Sequence, residues 1–161
     1  MVKTIRRRRH EGKTDYKARL ALLKSEKPRL IIRKTNRYII AQIVETEIAQ
    51  DKIILGLSSR ALLKKGWPEN LKGSLKSLAA AYLTGFVLGS LAKDKVKDII
   101  LDAGMHRNIP KSRIYALLKG ALDSGLNISH KPEILPSIEQ IKTNEKLAPV
   151  LDKITSELKS K

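Results

Sequence analysis

The amino-acid sequence predicts an α/β fold, in which an antiparallel three-stranded meander and a crossover strand form a mixed sheet with packed helices. The β-branched runs Arg29–Lys34 and Arg37–Val44 surround the polar pair Thr35-Asn36, a pattern typical of a β-hairpin. A third apolar run, Lys52–Leu57, completes the meander. Helix, strand and helix patterns follow in turn, so the fourth strand is expected to join the same sheet after a helical crossover.

The residues before the sheet are predicted to form a basic arm and a short helix. Met1–Lys13 contains four consecutive arginines, Arg6–Arg9, and too few apolar residues to pack by itself. Thr14 can cap a helix that continues to about Lys24, and Pro28 prevents its further extension. The predicted apolar face of this helix consists of Tyr16, Leu20 and Leu23.

Residues 74–92 contain the strongest helical pattern. Small residues recur every four positions at Ala81, Gly85 and Gly89, so this helix can approach a sheet closely. The longest uncharged run, Ser77–Ala92, has 16 residues, whereas a membrane span needs about 20. We therefore expect a core helix and no membrane partner.

Capping residues and glycines mark the remaining elements of the α/β domain. Ser58 or Ser59 caps a short helix that ends at Gly66. Asp98–Leu101 is a fourth, short apolar strand. Ser112 precedes a helix with apolar residues at helical spacing, which ends at Gly125.

These patterns predict four parts of the chain. They are a basic arm with a short helix (1–28), an α/β domain (29–126), an extended segment with two prolines (127–143) and an amphipathic tail helix (144–161). The sequence leaves open whether the tail helix packs on this domain or on a neighbouring molecule.

The charge of the chain indicates a polyanionic partner. Lysine and arginine number 33 against 16 aspartates and glutamates, which gives a formal net charge of +17. Residues 1–34 alone carry +10, and 8 of the 11 arginines lie within residues 1–37. Because arginine suits bidentate phosphate contacts, the N-terminal part is the expected nucleic-acid interface. An anionic membrane surface is the competing polyanion.

Composition and spacing exclude several functions. The absence of cysteine rules out disulfide scaffolds, cysteine-ligated zinc and thiol catalysis. Aromatic residues make up only 4% of the chain, too few for a surface that stacks several bases. The three histidines match no metal-ligand spacing, and Asp98 and Asp102 are read as solubilising residues at the ends of a strand rather than as a two-metal nuclease site. We expect no cofactor, no metal and no catalysis.

Three basic segments are candidate nucleic-acid contacts. Their residues are Arg6, Arg7, Arg8, Arg9, Lys13, Tyr16 and Arg19 in the arm, Arg33, Lys34, Asn36 and Arg37 at the hairpin turn, and His106, Arg107, Lys111 and Arg113 in a loop before a helix. The arm can neutralise several phosphates. The loop lacks the second glycine of the nucleotide-binding P-loop, but the helix that follows can accept an RNA phosphate at its start. A solvated tail, a charged turn and an ordinary capped loop are the respective structural alternatives.

Further motifs occur in a fixed order over residues 5–140. They are Arg7-Arg8-Arg9-His10-Glu11-Gly12-Lys13-Thr14-Asp15-Tyr16, Arg19-Leu20, Leu22-Leu23-Lys24-Ser25, Lys27-Pro28-Arg29-Leu30, Ala41-Gln42-Ile43-Val44, Ala80-Ala81-Tyr82-Leu83-Thr84-Gly85, Leu101-Asp102-Ala103-Gly104-Met105-His106-Arg107, Ser112-Arg113 and Leu118-Lys119-Gly120-Ala121-Leu122-Asp123-Ser124-Gly125-Leu126. In this order and spacing the motifs closely resemble the archaeal and eukaryotic form of ribosomal protein eighteen of the large subunit.

The resemblance implies a structural protein of the cytoplasmic ribosome that binds 5S rRNA and helps to anchor it in the central protuberance. It also implies contacts with large-subunit rRNA and neighbouring ribosomal proteins, no enzymatic activity, and a ribonuclease-H-like fold without catalytic acids. The family's basic N-terminal segment contacts rRNA, which corresponds here to Arg6–Arg9, Lys13, Tyr16 and Arg19. The tail after residue 140 lies outside the resemblance. A nonspecific architectural protein that binds nucleic acid is the alternative function that shares the charge.

Overall fold

A five-stranded mixed sheet forms the centre of the computed structural model, which describes residues 4–48 and 50–159. The strands are β1 (Arg29–Lys34), β2 (Ile39–Glu47), β3 (Gln50–Ser58), β4 (Asp98–Asp102) and β5 (Asn127–Ile128). β1, β2 and β3 are antiparallel neighbours, whereas β4 lies parallel to β1 and β5 parallel to β4, in the order β3-β2-β1-β4-β5. The predicted α/β class and mixed sheet are confirmed. The first three and last two residues of the chain, the ends of the predicted arm and tail helix, lie outside the described residues.

Six α-helices and three short 3-10 segments surround the sheet in the described part of the chain. The helices are α1 (Arg7–His10), α2 (Tyr16–Leu23), α3 (Leu78–Ala92), α4 (Arg113–Asp123), α5 (Ile138–Lys142) and α6 (Ala148–Lys159). The 3-10 segments are Ser59–Lys65, Glu69–Ser74 and Pro132–Ile134. The predicted helix after Ser58 is therefore a 3-10 helix, and it ends at Gly66 in the left-handed conformation as expected. No described helix is long and apolar enough to cross a membrane.

Helix α3 lies between two hydrophobic clusters. On one side it packs with α4 against the apolar faces of β1 and β2, which contribute Leu30, Ile32 and Ile43. On the other side it contacts Trp67 and the tail helix α6. Almost every residue of α3 is buried, which is what a helix that is apolar all round requires. The tail helix thus packs on this chain itself, an arrangement that the sequence left open.

The small-residue stripe of α3 faces helix α4, and the prediction that it faces the sheet is wrong. A Cβ atom at Gly85 would lie 2.0 Å from the carbonyl oxygen of Leu117, and one at Gly120 would lie 2.0 Å from that of Tyr82. Both helices carry a glycine where they cross, so their backbones meet directly. A stripe of small residues predicts a close approach but does not identify the element that approaches.

The start of α2 and the segment before α6 also differ from the predictions. Asp15, not Thr14, caps α2, because its carboxylate accepts hydrogen bonds from the backbone N–H groups of Lys17 (2.9 Å) and Ala18 (3.1 Å). Leu20, predicted on the packed face, is 56% exposed. The segment predicted to be extended over 127–143 contains the short strand β5, a 3-10 turn and helix α5. Helix α5 begins with a capping box, but its five residues are too few to show helical periodicity.

Candidate nucleic-acid interface

The hairpin between β1 and β2 lies between the other two basic segments. Arg33 lines a cavity of about 220 Å³ together with Arg8, Lys13 and Arg19 of the arm. The next residue, Lys34, lines a second cavity of about 330 Å³, whose other cationic residues are Arg107 and Lys111 of the loop before α4 and Arg113, the first residue of α4. Two consecutive residues at the end of β1 therefore line the two cavities, Arg33 with the arm and Lys34 with the loop, and we call the three segments together the basic surface. Asn36 and Arg37 are exposed in the turn and line neither cavity.

A hydrogen bond ties the loop to the hairpin. The backbone N–H of Lys34 donates to Nε2 of His106 at 3.0 Å, so this nitrogen acts as an acceptor and the ring is neutral in this arrangement. Burial, followed by the charges of Arg33 and Lys34, lowers the pKa of His106. The imidazole therefore adds no charge to the basic surface at neutral pH; it positions the loop beside the strand.

Arg33 is held in place by the end of β4. Its guanidinium donates to the carbonyl oxygens of Ile32 (2.9 Å) and Asp102 (3.0 Å) and lies 3.3 Å from the Asp102 carboxylate. Gly104 adopts a left-handed φ of +59°, and a Cβ atom there would lie 2.8 Å from the Arg33 guanidinium carbon. Arg33 thus contributes positive charge in a fixed position, and three of the hydrogen bonds of its guanidinium are made within the protein.

A buried charge network lies beneath the arm. Arg29 is only 1% exposed, and its guanidinium donates to the carboxylates of Asp102 (3.0 Å) and Asp51 (2.6 Å) and to the hydroxyl of Thr46 (2.9 Å). Asp102 is 6% exposed, so its interpretation as a solubilising residue at a strand end is wrong. An acid at this position is required because two arginines converge on it. Sequence reasoning missed Arg29 and Asp51, whose roles depend on strand pairing.

Asp51 extends the network to the arm. Its second carboxylate oxygen accepts from Arg19 of helix α2 at 2.9 Å. Burial would raise the pKa of Asp51, but hydrogen bonds from Arg19 and Thr46 and the charges of Arg29 and Arg19 outweigh this effect and lower it. Since α2 has no fully buried residue, this ion pair is a principal connection between α2 and the sheet.

The arm is a single helical turn with exposed arginines. All four residues of α1 are exposed, and Arg8 donates from Nε to the Thr14 hydroxyl at 2.9 Å. The guanidinium carbon of Arg6 lies 4.7 Å from the ring centre of Tyr16. Tyr16, predicted to contact a base or sugar, therefore already contacts a cation on one side of its ring. Glu11 forms ion pairs with Arg7 (3.5 Å) and Lys13 (2.7 Å).

The candidate cations fall into two groups. Arg7, Lys13, Arg19 and Arg33 form ion pairs within the protein. Within residues 4–48 and 50–159, no ion pair engages the second group, which consists of Arg6, Arg8, Arg9, Lys34, Arg37, Arg107, Lys111 and Arg113. The second group is available to an external polyanion without breaking an existing ion pair.

The described residues contain no group of three or more His, Asp or Glu side chains that could hold a metal ion. Asp102 and Asp51 are engaged by arginines, and Asp98 lies at the opposite end of β4 from Asp102. A two-metal nuclease needs clustered, accessible carboxylates, which this arrangement does not provide. The chemistry that the surface offers is the neutralisation of phosphates.

Comparison with known proteins identifies the family. A family model for ribosomal large subunit proteins 60S L5 and 50S L18 matches residues 2–98. The chain is 47% identical to large ribosomal subunit protein uL18 of Korarchaeum cryptofilum over 152 residues, which are 94% of this chain and 75% of that protein. It is 46% identical to uL18 of Aeropyrum pernix over 138 residues (84% of this chain, 63% of that protein) and 44% identical to uL18 of Methanospirillum hungatei over 137 residues (84% and 76%).

The family match includes two of the three basic segments, the arm and the hairpin turn. The chain spans less than two thirds of the length of the Aeropyrum pernix protein. The resemblance that the ordered motifs predicted is confirmed by both kinds of comparison. The chain belongs to the family of ribosomal large subunit proteins 60S L5 and 50S L18, which are structural proteins of the ribosome and not enzymes.

Proposed function

We propose that this protein is a structural constituent of the large ribosomal subunit that binds 5S rRNA and helps to anchor it in the central protuberance. The observation that carries the proposal is the placement of the arm and the 104–113 loop at the same end of β1, where the arm lines a cavity with Arg33 and the loop lines one with Lys34. A surface of this sign and extent suits a folded RNA, whose phosphates lie on several strands at once. Large-subunit rRNA and neighbouring ribosomal proteins are the further partners, and the cytoplasmic ribosome is the location.

The proposed roles of the three segments differ. Residues 1–28 would contact phosphates and order fully on RNA, with Arg6–Arg9, Lys13 and Arg19 as the cations and Tyr16 beside a sugar or base. The hairpin residues Lys34, Asn36 and Arg37 would contact the part of the RNA backbone that lies between the hairpin turn and the 104–113 loop. Specificity would come from RNA shape and 2′-hydroxyl contacts, because the chain has few aromatic side chains for stacking.

The body of the protein, residues 29–126, would serve as the rigid platform for this surface. We propose that it is a ribonuclease-H-like domain, as the family resemblance implies. The strand order β3-β2-β1-β4-β5, with a meander of three antiparallel strands followed by two parallel strands, supports this assignment. The use of Asp102 as a partner of two arginines is consistent with a binding platform that has no catalytic acids.

Competition binding tests the proposed function. The protein is bound to labelled 5S rRNA at ~150 mM salt, where screening is close to physiological. Unlabelled 5S rRNA and a duplex DNA of equal length are then compared as competitors. We expect the 5S rRNA to compete at a concentration at least about tenfold lower, since its shape and 2′-hydroxyl groups add contacts that the duplex lacks. Equal competition would instead support a nonspecific architectural protein.

A further inference from the structure

We propose that the cavity between Lys34 and the start of α4 binds one unstacked nucleotide of the RNA, with the base inside and its phosphate at the cationic rim. The inference rests on the proposed RNA-binding function and assigns a ligand to one part of the surface. The cavity, of about 330 Å³, lies at the lower end of the size range of small-ligand sites, and a helical duplex cannot enter it. We call it the nucleotide cavity.

Three apolar side chains line the nucleotide cavity. Leu78 at the start of α3 and Ile114 in the first turn of α4 contribute two walls, and Ile109 contributes the third. Ile109 is 51% exposed although it lies among cations, so its side chain is available for contact with a ligand. A phosphate alone gains nothing from apolar walls, whereas an unstacked base, which proteins bind through its flat face, buries apolar surface there.

The rim of the same cavity is cationic. Lys34, Arg107, Lys111 and Arg113 line it, and none of them forms an ion pair within the described residues. Among the lining residues, all of which are described, there is no aspartate or glutamate that would repel a phosphate. The lining therefore combines apolar side chains, of which Ile114 is buried, with exposed cations at Lys34, Arg107 and Lys111, and a nucleotide has the complementary combination of a base and a phosphate.

One polar group in the cavity has unused hydrogen-bonding capacity. Ser112 precedes α4 at the N-cap position, yet its hydroxyl makes no capping hydrogen bond. The hydroxyl oxygen is buried and has no hydrogen-bond partner. It is the one buried side-chain nitrogen or oxygen without a partner among the described residues. The serines before α3 and α5, Ser77 and Ser137, both cap their helices. Since buried polar groups are nearly always paired, and the oxygen is closed off from the cavity in this conformation, we expect the Ser112 side chain to rotate about χ1 when a nucleotide binds, which breaks no hydrogen bond within the described residues.

The loop that forms the cavity is held in position before any ligand binds. The backbone N–H of Lys111 donates to the carbonyl of Ile134 at 2.8 Å, and His106 accepts from Lys34 at 3.0 Å. The Tyr115 hydroxyl also donates to the side chain of Asn108. These three bonds attach the loop to the 3-10 turn, to β1 and to α4, so little ordering is needed when a nucleotide enters.

The test compares two RNA duplexes that differ in one position. One contains a single bulged 2-aminopurine nucleotide, and the other is fully paired with 2-aminopurine in the same sequence context. The fluorescence of 2-aminopurine reports its stacking, and titration with the full chain gives both affinities. We expect wild-type protein to prefer the bulged duplex by about tenfold, with a change in fluorescence, and Ser112→Ala to reduce that preference about fivefold by removing one hydrogen bond. Ile109→Ser, a change at an exposed position, should reduce it as well.

The matched control is Ser137→Ala, which removes a serine that does cap its helix. It should lower the melting temperature and leave the preference for the bulge unchanged, whereas Ser112→Ala should leave the melting temperature unchanged. Equal wild-type affinity for the two duplexes would overturn the inference, and so would a Ser112→Ala protein that loses stability and keeps its preference. Competition by 5S rRNA is measured in a separate experiment. The proposed function can therefore be supported even if the bulged duplex shows that the cavity binds no nucleotide. Loss of both the 5S rRNA preference and the bulge preference would reject the two proposals together.

Discussion

Single charged residues in this protein have structural roles that their neighbours along the chain do not reveal. Asp102 and Asp98 occupy the two ends of β4, yet Asp102 accepts hydrogen bonds from two arginines and is buried, while the Asp98 side chain is 58% exposed. The difference arises because β4 lies parallel to β1, which places Asp102 beside Ile31, between Arg29 and Arg33 on the same strand.

Replacing Asp102 should destabilise the fold strongly. Asp102→Asn removes a charge that compensates two guanidinium groups, and breaking a buried ion pair costs about 3–5 kcal/mol. We expect a loss of about 3 kcal/mol, because Arg29 retains its contact with Asp51. Asp98→Asn, at the exposed end of the same strand, is the control and should change stability by less than about 0.5 kcal/mol. Urea unfolding of both variants measures the difference; equal effects would contradict the role assigned to Asp102.

At the residue scale, the sequence predicted which segments carry the positive surface but not what each cation does. Arginine enrichment identified the arm and the hairpin because local composition is sufficient for that purpose. It could not separate Arg33, whose guanidinium bonds Asp102 at the end of β4, from Lys34, whose ammonium group forms no ion pair with any described residue. That separation depends on strand register, which brings residues about 70 positions apart into contact.

At the scale of elements, the contact between α3 and α4 determines how the helices lie on the sheet. Gly85 and Gly120 each face a backbone carbonyl of the other helix at a distance that excludes a Cβ atom. Because a backbone cannot move aside as a flexible side chain can, the whole crossing must widen to admit a methyl group. The start of α4 borders the nucleotide cavity, so this crossing also supports the basic surface.

Gly85→Ala should therefore be more harmful than its small change in volume indicates. Overpacking of a core costs about 1–3 kcal/mol and more where the obstacle is rigid, so we expect a loss of at least about 3 kcal/mol. Gly73→Ala is the control, since a Cβ atom there meets nothing within 4 Å and its backbone φ is not positive. It should leave stability within about 1 kcal/mol of wild type. Thermal unfolding of both proteins decides, and a stable Gly85→Ala protein would show that the helices can separate at little cost.

Elements with strong local signals were predictable, and those that depend on tertiary contacts were not. The hairpin of β1 and β2, strand β3 and helix α4 have alternating or helical apolar patterns, and the structure contains them near the predicted bounds. Strand β5 and helix α5 have two and five residues, too few to show a period, and they exist because β4 and the second hydrophobic cluster offer them partners. The partner of the glycine stripe was likewise decided by packing between helices.

At the scale of the whole molecule, the charge is unevenly distributed, and this asymmetry should govern RNA binding. The loop of the basic surface follows the C-terminal end of β4, whereas the exposed lysines at 93, 95 and 97 precede the N-terminal end of that strand. Only cations that contact phosphates release counterions on binding, so net charge alone should not determine how affinity depends on salt. Two variants with the same change in net charge can separate these effects.

Replacing Arg6–Arg9 by four alanines should reduce the slope of log Kd for 5S rRNA against log salt concentration. The expected reduction is equivalent to the loss of up to about four phosphate contacts. The control replaces Lys93, Lys95, Lys97 and Lys153, which are exposed and form no ion pair in the described part of the chain, and should change the slope by less than about one contact. Titrations between about 50 and 300 mM salt give both slopes; this range includes the concentration of about 0.1 M at which the Debye length is about 10 Å. An arm variant with the wild-type slope would remove the arm from the interface, and equal slopes for the two variants would mean that binding responds to overall charge rather than to a defined surface.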